Sequence, residues 1–164
     1  GNVIGGGDWA ADRLIPDLVA SLKSKAILKL RNPRAVRPWQ HVLEPVIGYL
    51  LIGANLSAEP VMFSQAYNFG PHLSDALTVE EMLKLAITSW GRGEYIVEKV
   101  EGQPHEAGLL KLDISKVMAE LKWQPKMNAQ QAVSMTMDWY NQFKIKRSEI
   151  NLFTESQVKY FLNA

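Results

Sequence analysis

Four arginines give this sequence its clearest candidate for chemistry. Arg37 opens the run RPWQHV, residues 37–42, in which the following proline restricts the arginine to extended geometry. A guanidinium fixed in this way can bind a phosphate through two parallel hydrogen bonds. Arg31 and Arg34 lie a few residues earlier, and Arg13 precedes a helical segment whose first amides can also bind an anion. The pattern favours a diphosphate site, and the alternative is a set of solvated surface arginines.

Three consecutive glycines, residues 5–7, raise the question of a phosphate-binding loop. A dinucleotide fingerprint requires the spacing G-x-G-x-x-G between a strand and a helix, with an acidic residue about 20 positions later. Here the glycines are contiguous, and no second long strand ends in Asp or Glu at that distance. We therefore interpret the triplet as a tight turn in which the backbone approaches a ligand or another lobe.

Other catalytic and metal-binding patterns are missing from the sequence. His41, His72 and His105 do not have metal-ligand spacing, and the sequence contains neither a cysteine nor a G-x-S-x-G motif. His105 and Glu106 are adjacent in a loop with glycine and proline. They form an acid–base pair, a polar ligand contact or a solvent-exposed pair, and the sequence leaves these alternatives open.

The composition is typical of one globular domain spanning residues 1–164. A net charge of +1 gives no electrostatic basis for nucleic-acid binding. The longest apolar run, residues 46–54, is far shorter than the roughly 18 residues of a membrane span, and no signal segment is recognisable. Since the chain also lacks cysteine, we expect a cytoplasmic protein without nucleic-acid or membrane partners.

Short strands alternate with helices along the chain. The two clearest helices begin with capping-box pairs, Thr78 with Glu81 and Asn128 with Gln131. A helix over residues 43–56 is apolar nearly all round, which predicts that it is buried. The other predicted helices cover residues 12–22, 114–121 and 158–162, and the predicted extended segments cover 2–4, 27–30, 35–42, 66–69, 95–100 and 109–112. Because these strands are few and short, the pattern predicts a mixed α/β lobe and not a complete parallel-sheet domain.

Several blocks of sequence resemble the extended short-chain dehydrogenase/reductase family of sugar-nucleotide enzymes, in the family's order. Within it, the similarity is greatest to dehydratases of cytidine-diphosphate (CDP) sugars, through GGGDWAADRLIPD, LRNPRAVRPWQHVLEP and NFGP. The blocks that carry the family resemblance are residues 2–5 (NVIG), 13–16 (RLIP), 37–42 (RPWQHV), 67–70 (YNFG) and the segment from LDISK at 112 to LKWQP at 125.

The resemblance implies the mixed α/β substrate-binding lobe of such an enzyme, without most of its Rossmann domain. In the family, the NAD fingerprint, the catalytic threonine and acidic residue, and a Tyr-x-x-x-Lys motif all precede the part that resembles this chain. Tyr140 and Lys144 match the last pattern, but they lie in a terminal helix, where core packing explains them better. We expect a longer, NAD-dependent, homo-oligomeric parent enzyme, and we do not expect this chain alone to bind NAD stably.

The resemblance also implies roles for individual residues. Asn2 would contact the sugar diphosphate, and Arg37 would neutralise its charge. The segment 13–15 would lie under the nucleotide, and the strand at residues 27–31 would lie beside the base. In the family an arginine near residues 103–106 usually reaches the phosphates, whereas here Gln103 and His105 occupy that neighbourhood. The predicted substrate-binding residues are Asn2, Arg13, Leu14, Ile15, Lys29, Arg31, Arg37, His105 and Glu106.

Two classes of function remain open from the sequence. One is the substrate-binding part of a lyase, which binds a CDP-sugar but has no catalytic activity alone. This part would expose an apolar patch where the cofactor lobe would dock. The other is a non-catalytic nucleotide- or partner-binding module that uses the same pocket. The matching half of another sugar-nucleotide dehydratase, epimerase or reductase is a third possibility, because a shared fold does not determine the chemistry.

Overall fold

The structure is a computed structural model that describes residues 2–98 and 108–164. Its α-helices are α1 (Leu14–Ser24), α2 (Leu43–Ala58), α3 (Pro60–Phe63), α4 (Val79–Trp90), α5 (Ser115–Leu121), α6 (Ala129–Ile145) and α7 (Ile150–Asn163). Its strands are β1 (Asn2–Ile4), β2 (Leu28–Leu30), β3 (Val36–Arg37), β4 (Trp39–His41), β5 (Leu77–Thr78) and β6 (Tyr95–Val97). The predicted mixed α/β class is confirmed.

The strands form three separate pairs. β1 runs parallel to β4, with Asn2 opposite Trp39 and Ile4 opposite His41. β2 runs parallel to β6, and β3 pairs with β5 in the antiparallel direction. The pairs bring the ends of β1, β2 and β3 close enough to line one cavity, which is described below.

The larger hydrophobic core lies between these strands and helices α1, α4 and α6. Leu18 and Val19 of α1 and Met82 and Leu83 of α4 are fully or almost fully buried there. The capping boxes predicted for α4 and α6 are both present. In α4 the Glu81 N–H donates to the Thr78 side chain, while the Glu81 carboxylate accepts from the Thr78 N–H. These two helices are therefore defined locally and then packed against each other.

A smaller hydrophobic cluster lies between α2 and α5, around Phe63, Phe69 and Trp123. The predicted helix over residues 43–56 is confirmed, but its predicted burial is wrong. In α2 only Glu44, Pro45 and Gly48 are buried, whereas Tyr49 and Leu50 expose 64% and 66% of their surface. The described neighbours of α2 pack against one side of the helix, and the apolar face on its other side is exposed.

Two predicted strands are absent or reduced. Residues 66–69 do not form a strand, and the Phe69 carbonyl instead accepts a hydrogen bond of 2.8 Å from the Gln40 side chain. Over residues 109–112, pairing is limited to one parallel bridge between Val36 and Leu109. In residues 2–98 and 108–164, no helix has the length and apolar character needed to cross a membrane.

Candidate functional site

A cavity of about 870 Å³ opens where the ends of β1, β2 and β3 meet the start of α1. It brings together side chains that lie far apart in the sequence, from residue 2 to residue 79. The predicted binding residues that line it are Asn2, Arg13, Leu14, Ile15, Lys29, Arg31 and Arg37. His105 and Glu106 lie outside the described residues. Arg34, the remaining arginine of the nearby turn, is exposed and does not line the cavity.

The start of α1 supplies backbone donors to the cavity wall. Arg13 is the N-cap of α1 and has extended backbone geometry, and its side chain makes no capping hydrogen bond. Leu14, Ile15 and Pro16 form the first turn and line the cavity. The first amides of a helix lack partners within the helix, and they carry the positive end of its dipole. This end of α1 therefore favours an anion in the cavity.

Arg37 reaches the cavity from inside the protein. It belongs to β3, only 7% of its surface is exposed, and its Nη1 donates to the Val36 carbonyl at 2.9 Å. Asn2 lies nearby because its N–H donates to the Pro38 carbonyl at 2.9 Å, next to the start of β4. Arg37 is therefore the most buried of the arginines that line the cavity.

Carboxylates also line the cavity, and the sequence analysis did not identify them as site residues. Asp8 Oδ2 lies 3.0 Å from Arg13 Nη1, and Asp12 Oδ1 lies 3.2 Å from Arg31 Nη2. Asp17 is the third acid, and burial raises its pKa. The acids at positions 8 and 12 precede Arg13 in the segment DWAADR, and this clustering of acids beside an arginine was the available signal.

The segment that carries Asp8 is attached to α6. The Tyr140 hydroxyl donates to the Asp8 carbonyl at 2.5 Å, and a side chain on Gly6 would overlap the indole of Trp139. Gly6 is therefore required for this close packing, as the tight-turn interpretation of the glycine triplet anticipated. Trp9 packs edge-on against Tyr140 in the same aromatic cluster and does not line the cavity.

Neither the glycine triplet nor Tyr140 fits a role in NAD chemistry. The triplet packs against Trp139 and is followed by turns, so it does not lead directly into a helix as a dinucleotide loop does. Burial raises the pKa of Tyr140 to about 12, and its hydroxyl is used by the Asp8 carbonyl. The core-packing interpretation of Tyr140 is confirmed, because the residue is fully buried.

β4 connects the cavity to the start of α2. Trp39 lines the cavity, and His41 is buried two residues further along the strand. The His41 Nδ1 accepts a hydrogen bond of 3.3 Å from the Leu43 N–H, and burial lowers the pKa of His41 to about 4. His41 is consequently neutral at physiological pH, and its hydrogen bond stabilises the junction between β4 and α2.

No model of a protein family matches the chain. A CDP-glucose 4,6-dehydratase of Salmonella typhimurium (strain LT2) is 39% identical over 164 residues, which are all of this chain and 45% of that protein. The chain thus spans less than half the length of this curated relative.

Solved structures share the fold at lower identity. A dTDP-glucose 4,6-dehydratase of Bacillus anthracis in complex with NAD has a TM-score of 0.66 and 23% identity, over 86% of this chain and 42% of that one. A UDP-glucuronic acid 4-epimerase of Bacillus cereus in complex with UDP-glucuronic acid and NAD has a TM-score of 0.71 and 15% identity, over 87% and 43%.

The predicted resemblance is therefore confirmed: the whole chain is similar to the C-terminal part of a CDP-glucose 4,6-dehydratase, and its fold is shared with a UDP-glucuronic acid 4-epimerase and a dTDP-glucose 4,6-dehydratase.

Proposed function

We propose that the cavity binds the diphosphate of a CDP-sugar, and that the chain is the substrate-binding part of a longer CDP-glucose 4,6-dehydratase. The observation that carries the proposal is the convergence of Arg13, Arg31 and Arg37 on one cavity that the first turn of α1 also lines. Guanidinium groups and helix N-terminal amides are the donors that proteins use for phosphate. The cavity also has the volume of a typical small-molecule site.

The chemical step belongs to the longer protein in this proposal. NAD would supply the redox chemistry that converts CDP-glucose to CDP-4-keto-6-deoxyglucose. Neither the glycine triplet nor Tyr140 fits a role in NAD chemistry, so in this proposal the chain contributes binding energy at the nucleotide end of the substrate. That energy would hold the sugar in position for reacting groups elsewhere, and the chain alone would be inactive.

The exposed face of α2 supports the same proposal. Val46, Tyr49 and Leu50 are exposed on successive turns of this helix. The chain matches 45% of its dehydratase relative, so more than half of that protein has no counterpart here. A preceding cofactor-binding part of a longer protein would cover this face, which a monomer in water would otherwise leave exposed.

An NMR titration with CDP tests the site. The proposal predicts amide shifts concentrated at residues 13–15, 29–31 and 37, because these segments line the cavity. Arg37→Ala should weaken CDP binding by about 1–3 kcal/mol, the contribution of a charge-assisted hydrogen bond, as measured by calorimetry. Arg34→Ala removes an exposed arginine outside the cavity and should leave the affinity unchanged.

Because Arg37 is buried, its variants are first compared with the native chain by urea denaturation, and Arg37→Lys provides a second variant that keeps the charge. A folded Arg37→Ala protein that binds CDP as tightly as the native chain would reject the role of this arginine. Amide shifts confined to surfaces outside the cavity would reject the site.

A further inference from the structure

Two of the cavity's arginines are already paired with carboxylates of the same cavity. Arg13 is paired with Asp8, and Arg31 is paired with Asp12, at 3.0 and 3.2 Å. All four side chains line the cavity wall. A phosphate that binds the Nη2 group of Arg31 would compete with the Asp12 carboxylate, which already accepts from that nitrogen.

The two carboxylates are held differently. Asp8 is anchored, because its Oδ1 also accepts from the Ala10 N–H at 3.1 Å and its carbonyl accepts from Tyr140. The Asp12 side chain is 83% exposed, and its backbone has a left-handed φ of 62°. Asp12 can leave Arg31 with little loss of packing, whereas Asp8 cannot move without disturbing the segment attached to α6.

The state in which Arg31 is paired with Asp12 and the state in which Arg31 is paired with a phosphate are close in free energy. An exposed ion pair contributes only about 0–1 kcal/mol, so its loss costs a bound phosphate little. Once displaced, however, the Asp12 carboxylate remains near the cavity and repels the bound anion. Its presence therefore reduces the affinity for any anion that uses Arg31.

We propose that Asp12 is a specificity-determining residue. Its carboxylate pairs with Arg31 until a diphosphate displaces the carboxylate, and Asp12 thereby sets the affinity of the cavity for anions. This inference rests on the proposed function, because it assumes that the anion binds in the cavity. Asp12 acts through Arg31 and through its own charge. Uncharged ligands do not compete with Asp12, so their affinity is independent of it.

The test compares Asp12→Asn with the native chain, using CDP as the ligand and cytidine as the uncharged control. Asparagine tolerates the left-handed backbone, so this variant should fold normally. At low salt, Asp12→Asn should bind CDP roughly three- to tenfold more tightly, in line with one weakened ion pair and one removed charge, and the gain should shrink at 0.5 M NaCl. Glu155→Gln removes one negative charge from an exposed position on α7, outside the cavity, and should not change CDP affinity.

A double-mutant cycle separates the ion pair from general electrostatics. In an Arg31→Ala background, Asp12→Asn should improve CDP affinity by less than about twofold, because Asp12 no longer has an arginine to release. An equal gain in both backgrounds would overturn the inference, as would unchanged or weaker binding by folded Asp12→Asn when the native chain binds CDP. If folded native and Asp12→Asn proteins both fail to bind CDP, the proposed function fails and the inference fails with it.

Discussion

Helices α2 and α4 show how differently one chain can treat two apolar segments. α4 places its apolar side chains on one face, and Met82, Leu83 and Ala86 are fully buried against α1 and α6. α2 is more apolar than α4, yet its buried residues, Glu44, Pro45 and Gly48, include no large apolar side chain, and Tyr49 and Leu50 are exposed. The degree of burial of a helix therefore follows from the partners that the chain supplies, and not from its apolar content alone.

The two helices also begin differently. α4 has a complete capping box, and its first amides also donate to a distant segment before β3, with Val79 N–H bonded to the Ala35 carbonyl at 2.9 Å. α2 begins at Val42 without a side-chain cap, and it is fixed by the buried Glu44 carboxylate, which accepts from the N–H groups of Lys126 and Met127. α4 therefore has a side-chain cap within its own sequence, whereas the start of α2 depends on contacts with residues more than 80 positions away.

The strongest test of this contrast uses one substitution at two positions. Leu83→Ala in α4 should lower the free energy of unfolding by about 2–5 kcal/mol, because it leaves a cavity in the packed core. Leu50→Ala in α2 makes the same chemical change at an exposed position and should cost less than about 0.5 kcal/mol in a monomer. Urea denaturation of both variants measures the difference, and equal costs would show that α2 is as well packed as α4.

Acidification tests the junction between the core and α2. Because the pKa of His41 is lowered from 6.5 to about 4 by burial, the unfolded chain takes up a proton at a higher pH than the folded chain does. Stability should therefore be lost as the pH falls from about 6.5 towards 4, by roughly 3 kcal/mol in total. Burial raises the pKa of Glu44, so this carboxyl works in the opposite direction and offsets part of the loss at the acidic end.

Denaturation at several pH values, with His41→Gln and His72→Gln, assigns this effect. Between pH 6.5 and 5, the free energy of unfolding should depend less on pH in His41→Gln than in the native chain. In His72→Gln the pH dependence should persist, because His72 is exposed. An NMR titration of the His41 ring measures its pKa directly. A His41 pKa near 6.5 in the folded protein would contradict the prediction, whatever the stability of the variants.

The open face of α2 should produce the smallest energetic effect, a concentration-dependent self-association. Leu50→Lys should weaken that association by about tenfold or more, since burying a leucine in an interface contributes about 1.5–3 kcal/mol. Leu152→Lys is the matched control, because Leu152 is equally exposed but lies on α7. Light scattering over a concentration series measures both, and a native chain that stays monomeric would contradict the prediction.

The sequence predicted best those elements whose signals are local. The capping pairs and apolar stripes of α4 and α6 depend on residues within one helix, and both helices were predicted correctly. The strand predicted at residues 66–69 failed because no strand within residues 2–98 and 108–164 pairs with it, and the Gln40 side chain donates to the Phe69 carbonyl instead. Pairing between distant segments cannot be inferred from the alternation of side chains in one segment.

The candidate site shows the same division. The arginine-bearing segments were selected by their residue types, by the proline after Arg37 and by their resemblance to a family, and the seven predicted residues that the structure describes line one cavity. Their binding roles remain predictions. The pairing of Arg31 with Asp12 depends on the path of the chain between them, and neither residue type reveals it.

By itself, the sequence determined most of the helices, the residues that could bind an anion, and the proteins that the chain resembles, but it missed α3 and the first part of α7. These properties depend on side-chain chemistry and on spacings of a few residues. Only the tertiary structure decided that acids accompany the arginines in the cavity, that Tyr140 anchors the Asp8 segment, and that α2 has an open face. Each of these depends on contacts between residues distant in the sequence, which exist only once the helices and strands have packed together.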